Sequence, residues 1–180
     1  MLTRLPVGWQ ILTIGEITAE MNPGFASGEH NQEGRGVPHL RPMNISHEGD
    51  ISLSTLKYVD VDEYDALRSG DVLFNNTNSP ALVGKTSYIR QDSDWAYSNH
   101  MTRLRLRPGY HAGWVAYALH HLFFTGYFQL HCRHHVNQAS INTTFLAESV
   151  SIPVPPSPNK TASSTPSKRS SRASTPQSRR

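Results

Sequence analysis

A chain of 180 residues, 37% hydrophobic and 17% charged, with one cysteine, has room for a single domain, which excludes a second full domain and an internal disulfide framework. Its charge is split: residues 157–180 carry six Lys/Arg and no Asp or Glu, whereas residues 1–156 carry 11 Lys/Arg against 14 Asp/Glu, a net −3. The overall +3 therefore reports the tail. No segment approaches the roughly 18 apolar residues of a membrane span. Pro6, Gly8, Gln10 and Glu16 break the N-terminus before any signal-length apolar run, so the expected location is cytoplasmic, with no membrane partner.

In chain order, Trp9 to Ile17 alternates loosely, and Val37 to Ile45 is an apolar run interrupted by two prolines. Ile51 to Val61 reads as a strand entered through His47-Glu48-Gly49-Asp50. Val72-Leu73-Phe74 follows the turn Arg68-Ser69-Gly70-Asp71, and Val83 to Arg90 makes a further strand. Met101 to Arg107 sets Thr102, Leu104 and Leu106 against Arg103, Arg105 and Arg107, a pattern with one wet face. From His111 to Phe124 the period becomes helical, a second short helix is expected within Tyr127 to His134, and a third over Thr143 to Glu148 precedes an extended Val150 to Val154. The expected class is α+β. Leu73, Phe74, Val83, Leu104, Leu106, Val115, Leu119 and Leu122 are expected in the core.

Residues 157–180 hold no aliphatic side chain larger than alanine, so disorder is the expectation. Yet the serines at 163, 164, 167, 170, 171, 174 and 178 have a helical spacing. Serine codons of the TCN type, read one base earlier, encode only Phe, Leu, Ile or Val. With permissible codons the tail becomes VAEQNRIVDAIEALFSRLDAAVA, an amphipathic helix, which predicts a change of reading frame near residue 157.

The amide-rich stretch Asn75-Asn76-Thr77-Asn78-Ser79-Pro80 lies between two expected strands. Asn side chains make bidentate contacts to adenine edges, but the same residues also cap their own turns, and both readings stand. Gly84-Lys85-Thr86 resembles the end of a phosphate loop, but Ser79 occupies the place of its first glycine, which argues against nucleotide hydrolysis. Arg103, Arg105 and Arg107 suit either phosphates or the domain's carboxylates. His131 and His135 stand four apart, a metal-compatible spacing, but no Asp or Glu lies between Asp94 and Glu148 to complete such a site; no metal and no cofactor is expected. Cys132 has no evident activating base. Asp60, Asp62, Glu63 and Asp65 read as a solvated, helix-starting turn.

Taken together, LPVGWQILTIGEI, VPHLRPMNI, LRSGDVLFNNTNSPALVGKTSYI, SNHMTRLRLRP and INTTFLAESVSIPVPP resemble one target-recognition domain of the DNA-specificity (S) subunit of type I restriction-modification systems. The likeness spans residues 5 to 156. It implies a single target-recognition domain over 1–156, built on a mixed, mainly antiparallel twisted sheet with a C-terminal helical part, followed by the tail. In that family the Pro-Pro ending leads into a long spacer helix, which the shifted frame supplies. The resemblance further implies a non-catalytic subunit that reads one half of a split target in double-stranded DNA, with methylation left to the M subunit and translocation and cleavage to the R subunit. Candidate DNA contacts are Arg41, Asn44, Asn75, Asn76, Thr77, Asn78, Lys85, Arg103, Arg133, His135 and Gln138. The alternatives are a protein-interaction remnant docked on an M subunit without DNA recognition, and a His-dependent metalloenzyme.

Overall fold

The computed structural model describes residues 4–156, so the tail and frame-change expectations lie outside the described residues. The chain runs β1 (Gln10–Thr13), α1 (Ile14–Ile17), β2 (Thr18–Pro23), β3 (Val37–Leu40), a 3-10 turn (Pro42–Asn44), β4 (Lys57–Val59), β5 (Asp71–Asn75), β6 (Thr77–Asn78) and β7 (Thr86–Tyr88). It continues with β8 (Ala96–Tyr97), β9 (Met101–Leu106), α2 (Ala112–Phe124), α3 (Tyr127–His131), β10 (Arg133–His134), β11 (Ala139–Ser140), α4 (Thr143–Glu148) and β12 (Ser151–Val154).

The loose alternation of Trp9 to Ile17 is cut at Thr13 by a capping box. The Thr13 hydroxyl accepts the Glu16 N–H at 3.2 Å, and the Glu16 carboxylate accepts the Thr13 N–H at 2.7 Å. One helical turn follows, burying Ile14 and Ile17, before the chain re-extends as β2. In α2, His111 Nδ1 caps the Trp114 N–H, and Val115, Ala116, Ala118, Leu119 and Phe123 are buried. In α4, Asn142 caps the Phe145 N–H at 2.7 Å. Strand β12 pairs antiparallel with β1, so the two ends of the described chain meet.

The main sheet has the antiparallel order β2-β9-β5-β7. A second sheet, β4-β3-β8, contains the parallel pair β3/β8, so the α+β, mixed but mainly antiparallel class expected from the sequence is the one observed. A small third sheet, β10-β11-β6, ties the chain after α3 to the amide-rich stretch.

Both faces of β5 and β9 are covered. Val72, Phe74 and Leu104 face one core with Val115, Leu119, Phe123 and Phe128 from the helices, while Leu73 and Met101 face a second core with Leu40, Ile45, Leu67, Ile89 and Tyr97. The expected wet face of β9 is therefore absent. Arg103 stands opposite Leu73 on the second face, fully buried, and pairs with Glu20 and Asp65; Arg105 pairs with Asp71 at 2.9 Å and Glu20 at 3.4 Å. An alternating Arg pattern looks solvated only while its carboxylate partners, which lie 34 to 85 residues away, are unknown.

Other differences have similar causes. Of Ile51 to Val61 only β4 is a strand, and the acidic turn at 60–65 starts no helix because Asp65 is drawn to Arg103. Val83 to Arg90 shortens to β7 because Gly84 has a φ of +96°. A Cβ there would sit 2.3 Å from Phe128 Cδ2, and that ring packs edge-on against Phe74 with centroids 4.9 Å apart. The expected core residues are buried apart from Leu106 and Leu122, which are half-buried against the same core.

Candidate nucleic-acid interface

At one end of the main sheet the C-terminal ends of β3 and β5 and the N-terminal end of β9 meet, and their connecting loops wall a cleft of about 960 Å³. Its walls include Arg41, Lys85, His30, His39, His47 and His100, with Thr77, Asn78, Asn99, Asn137 and Gln138 supplying amides and a hydroxyl. None of its described lining residues is Asp or Glu. In a region whose net charge is −3, that segregation concentrates positive potential where the surface is concave.

Arg41 is held by the turn that follows it. Asn44 Oδ1 accepts the Arg41 N–H at 2.9 Å, Asn44 Nδ2 donates to the Ser52 carbonyl at 2.9 Å, and the Arg41 guanidinium donates to the Thr55 carbonyl at 2.8 Å. Burial lowers the Arg41 pKa from its usual value. Lys85 is nearly buried, and its ammonium donates to the Ile45 carbonyl. Burial pushes its pKa down, and the Glu48 carboxylate partly opposes this. An ammonium has three donors, and no carboxylate lies within ion-pair distance of Lys85 among the described residues.

The amide-rich stretch divides in two. Asn75 is fully buried at the end of β5, donating to the Leu82 carbonyl at 3.0 Å. Asn76 is nearly buried; its amide donates to the Asn99 carbonyl at 3.1 Å and Thr102 Oγ1 at 2.9 Å, and its oxygen accepts from Thr77 Oγ1 at 2.7 Å. Asn75 ties the end of β5 to the turn at 79–84, Asn76 latches the loop to the turn at 98–100 and to β9, and neither lines the cleft. Thr77 and Asn78 do reach it, half-buried, with Asn78 Oδ1 also capping the Ser79 N–H at 2.8 Å.

Asn44, Asn75, Asn76 and Arg103 are buried and bonded within the protein, and none of the four lines the cleft. Arg41, Thr77, Asn78, Lys85 and Gln138 are brought together around the cleft. Arg133 and His135 belong to the β10–β11 hairpin, both exposed, with His135 Nε2 2.9 Å from Ser140 Oγ. The His135 N–H donates to the Gln138 carbonyl at 2.7 Å, closing a tip on which Val136 is 99% exposed.

His30, His39, His47, His100 and Asn137 are not among the sequence candidates, and no local pattern marks them, because five separate loops and strands deliver them. The metal-compatible spacing of His131 and His135 dissolves: His131 Nδ1 lies 2.8 Å from the Tyr127 carbonyl, with its ring stacked on Tyr127, whereas His135 is in the hairpin. No described helix is long and apolar enough to cross a membrane.

No family model matches the chain, and no curated protein matches it. Solved structures do. A chain from work on complex assembly and conformational transition of the type I R-M system aligns with a TM-score of 0.62 and 23% identity, covering 86% of this chain and 36% of that one. The HsdS subunit from Thermoanaerobacter tengcongensis aligns at 0.60 and 23%, covering 86% and 35%. The type I restriction-modification system S subunit from M. genitalium aligns at 0.56 and 14%, covering 84% and 36%. This chain thus has the fold of a part of these subunits and spans about a third of their length.

Proposed function

We propose that residues 4–156 read one half of a split DNA target, as a non-catalytic specificity element of a type I restriction-modification system. The cleft wall and the β10–β11 hairpin present polar groups to a groove of the duplex, while methylation and cleavage belong to M and R subunits. The observation that carries this reading is the carboxylate-free, cation-walled cleft in an otherwise acidic region. The shared fold with S subunits supports it.

Each part has a physical role. Arg41 and Lys85 supply local charge for phosphates or acceptor-rich base edges. Thr77, Asn78, Asn137 and Gln138 offer donors and acceptors from a pinned scaffold, where a good bidentate base contact is worth about 1–3 kcal/mol of discrimination. Arg133, exposed on the hairpin, faces solvent and is free to meet a phosphate. Two cations in the cleft are few, so binding by the chain alone is weak and salt-sensitive, and partner subunits complete the phosphate contacts.

Selection from a random duplex library, with the chain alone and with its M subunit, tests the reading. Enrichment of a short fixed sequence that is lost on Arg133→Ala or Gln138→Ala supports it. Recovery of unselected sequence in both conditions refutes it. The docking-remnant alternative is favoured by one feature, the exposed apolar side chains Tyr117 and Leu130 on α2 and α3. It predicts co-purification with an M subunit and no enriched sequence.

A further inference from the structure

We propose that the imidazole pair His30–His39, at one wall of the cleft, is a proton-linked phosphate contact: His30 gains a proton as a DNA backbone seats against it. The proposal rests on the cleft reading above and adds to it a pH term carried by two residues that the sequence does not mark.

His30 Nε2 and His39 Nδ1 are 2.9 Å apart, so one proton lies between the rings. His39 is buried on β3 and packs on Phe25 with centroids 4.9 Å apart. Its Nε2 is buried with no hydrogen-bond partner among the described residues, while its Nδ1 faces His30. In the tautomer we assign, His39 Nδ1 accepts from His30 Nε2–H and His39 carries its own proton on Nε2. His30 is half-buried and lines the cleft, and its Nδ1 is the one nitrogen of the pair that takes another proton without breaking the shared hydrogen bond.

The surroundings set the sign. The loop that carries His30 also holds Glu29 and Glu33, the latter 3.6 Å from Arg35. Arg41 follows β3, Lys57 and Tyr58 come from β4, Tyr97 comes from β8, and His47, Lys85 and His100 lie on the remaining cleft wall. Burial and then the charges of Arg41 and Lys57 hold the His30 pKa below the usual imidazole value; burial and then His30 push His39 down to about 4. The free pair is therefore neutral near pH 7. A phosphate at this wall adds an anion that offsets the charges of Arg41 and Lys57 and raises the proton affinity of His30, while His39 stays neutral and holds the ring in place. By linkage, affinity rises as pH falls, by at most about tenfold per pH unit for each proton taken up.

The test measures binding of the chain to a random-sequence duplex by fluorescence anisotropy, at fixed ionic strength, from about pH 8 to about pH 5.5, a window that brackets imidazole titration. The parent tightens as pH falls; His30→Gln loses about one proton of that slope, and His121→Gln, exposed on α2, keeps it. Histidine-resolved NMR titration of the parent gives a His30 pKa that rises when duplex is added. A His30→Gln slope equal to the parent's, or a His30 pKa unmoved by duplex, overturns the proposal while leaving the cleft reading intact. Absence of duplex binding at every pH, or binding indifferent to Lys85→Met and Arg133→Ala, overturns both.

Discussion

Replacing Arg103 by Met separates the structural role of this residue from the DNA contact that its strand pattern predicts. The Arg103 side chain is fully buried and hydrogen-bonds to Asp65 and, at 3.0 Å, to Glu20, each half exposed. Two charge-assisted hydrogen bonds of about 1.5–3 kcal/mol each are lost. Two effects reduce that loss. Both carboxylates regain water, and Arg105, already 3.4 Å from Glu20 and 4.0 Å from Asp65, takes up part of the pairing. Met also fills most of the vacated space beside Leu73. The net destabilisation is about 2–3 kcal/mol, below the 3–5 typical of breaking a fully buried pair. For a chain of this size that is about 4–12 °C in Tm. Urea and thermal melts followed by circular dichroism give the stability, and duplex anisotropy on the folded fraction gives the affinity. An unchanged melt accompanied by a fall in DNA affinity would refute the reasoning and return Arg103 to the DNA surface.

Gly84→Ala introduces a Cβ within 2.3 Å of Phe128 at a φ of +96°, and urea melts are expected to show a loss of about 2–4 kcal/mol, as for other overpacked, strained sites. His39 and His120 are both held neutral, mainly by burial, so their folded pKa values lie below the unfolded one. Their contribution is complete above about pH 6.5 and is lost as pH falls, for His39 toward about 4. A His39→Gln variant flattens the melt-versus-pH curve over that interval, and an unchanged curve argues against a neutral buried ring. Asp65 is pushed up by burial but more strongly down by Arg103, Arg105 and Arg68, so its stabilisation is lost as pH falls through its depressed pKa, and Arg103→Met removes much of that acid-side slope. Arg133→Ala, with its side chain in solvent, leaves the melt unchanged and lowers the salt dependence of duplex binding by about one unit in slope; an unchanged slope removes this residue from the interface.

What could be read without coordinates was whatever local chemistry decides. The helix α2 and its apolar stripe, α4 with its Asn142 cap, and the β5 core triplet Val72-Leu73-Phe74 all follow from periodicity and turn residues close in sequence. The capping box at Thr13 and Glu16 was equally local, and its T-x-x-E pattern was available; loose alternation hid it. Long-range pairing was not legible. Arg103 read as a surface cation because Glu20 and Asp65 are 83 and 38 residues distant, and Asn75 and Asn76 read as a recognition loop because their acceptors lie across a turn and a neighbouring strand. The histidines of the cleft belong to the same class: each is unremarkable in its own segment, and only the convergence of strand ends makes them neighbours.

The β10–β11 hairpin has a consequence for how recognition could change over time. It is anchored by two short ladders, Arg133↔Ser140 with His134↔Ala139 and then Ala139↔Asn78 with Ser140↔Thr77, and by the Ile141 N–H donating to the Asn76 carbonyl at 2.9 Å. Residues 135–138 lie beyond those anchors, all four exposed, with Asn137 and Gln138 on the rim of the cleft. Substitutions or small insertions there leave both cores untouched, so under the proposed DNA-reading role new base preferences would be sampled at little cost in stability. Altering Asn76, by contrast, loosens the mount on which every such variant depends.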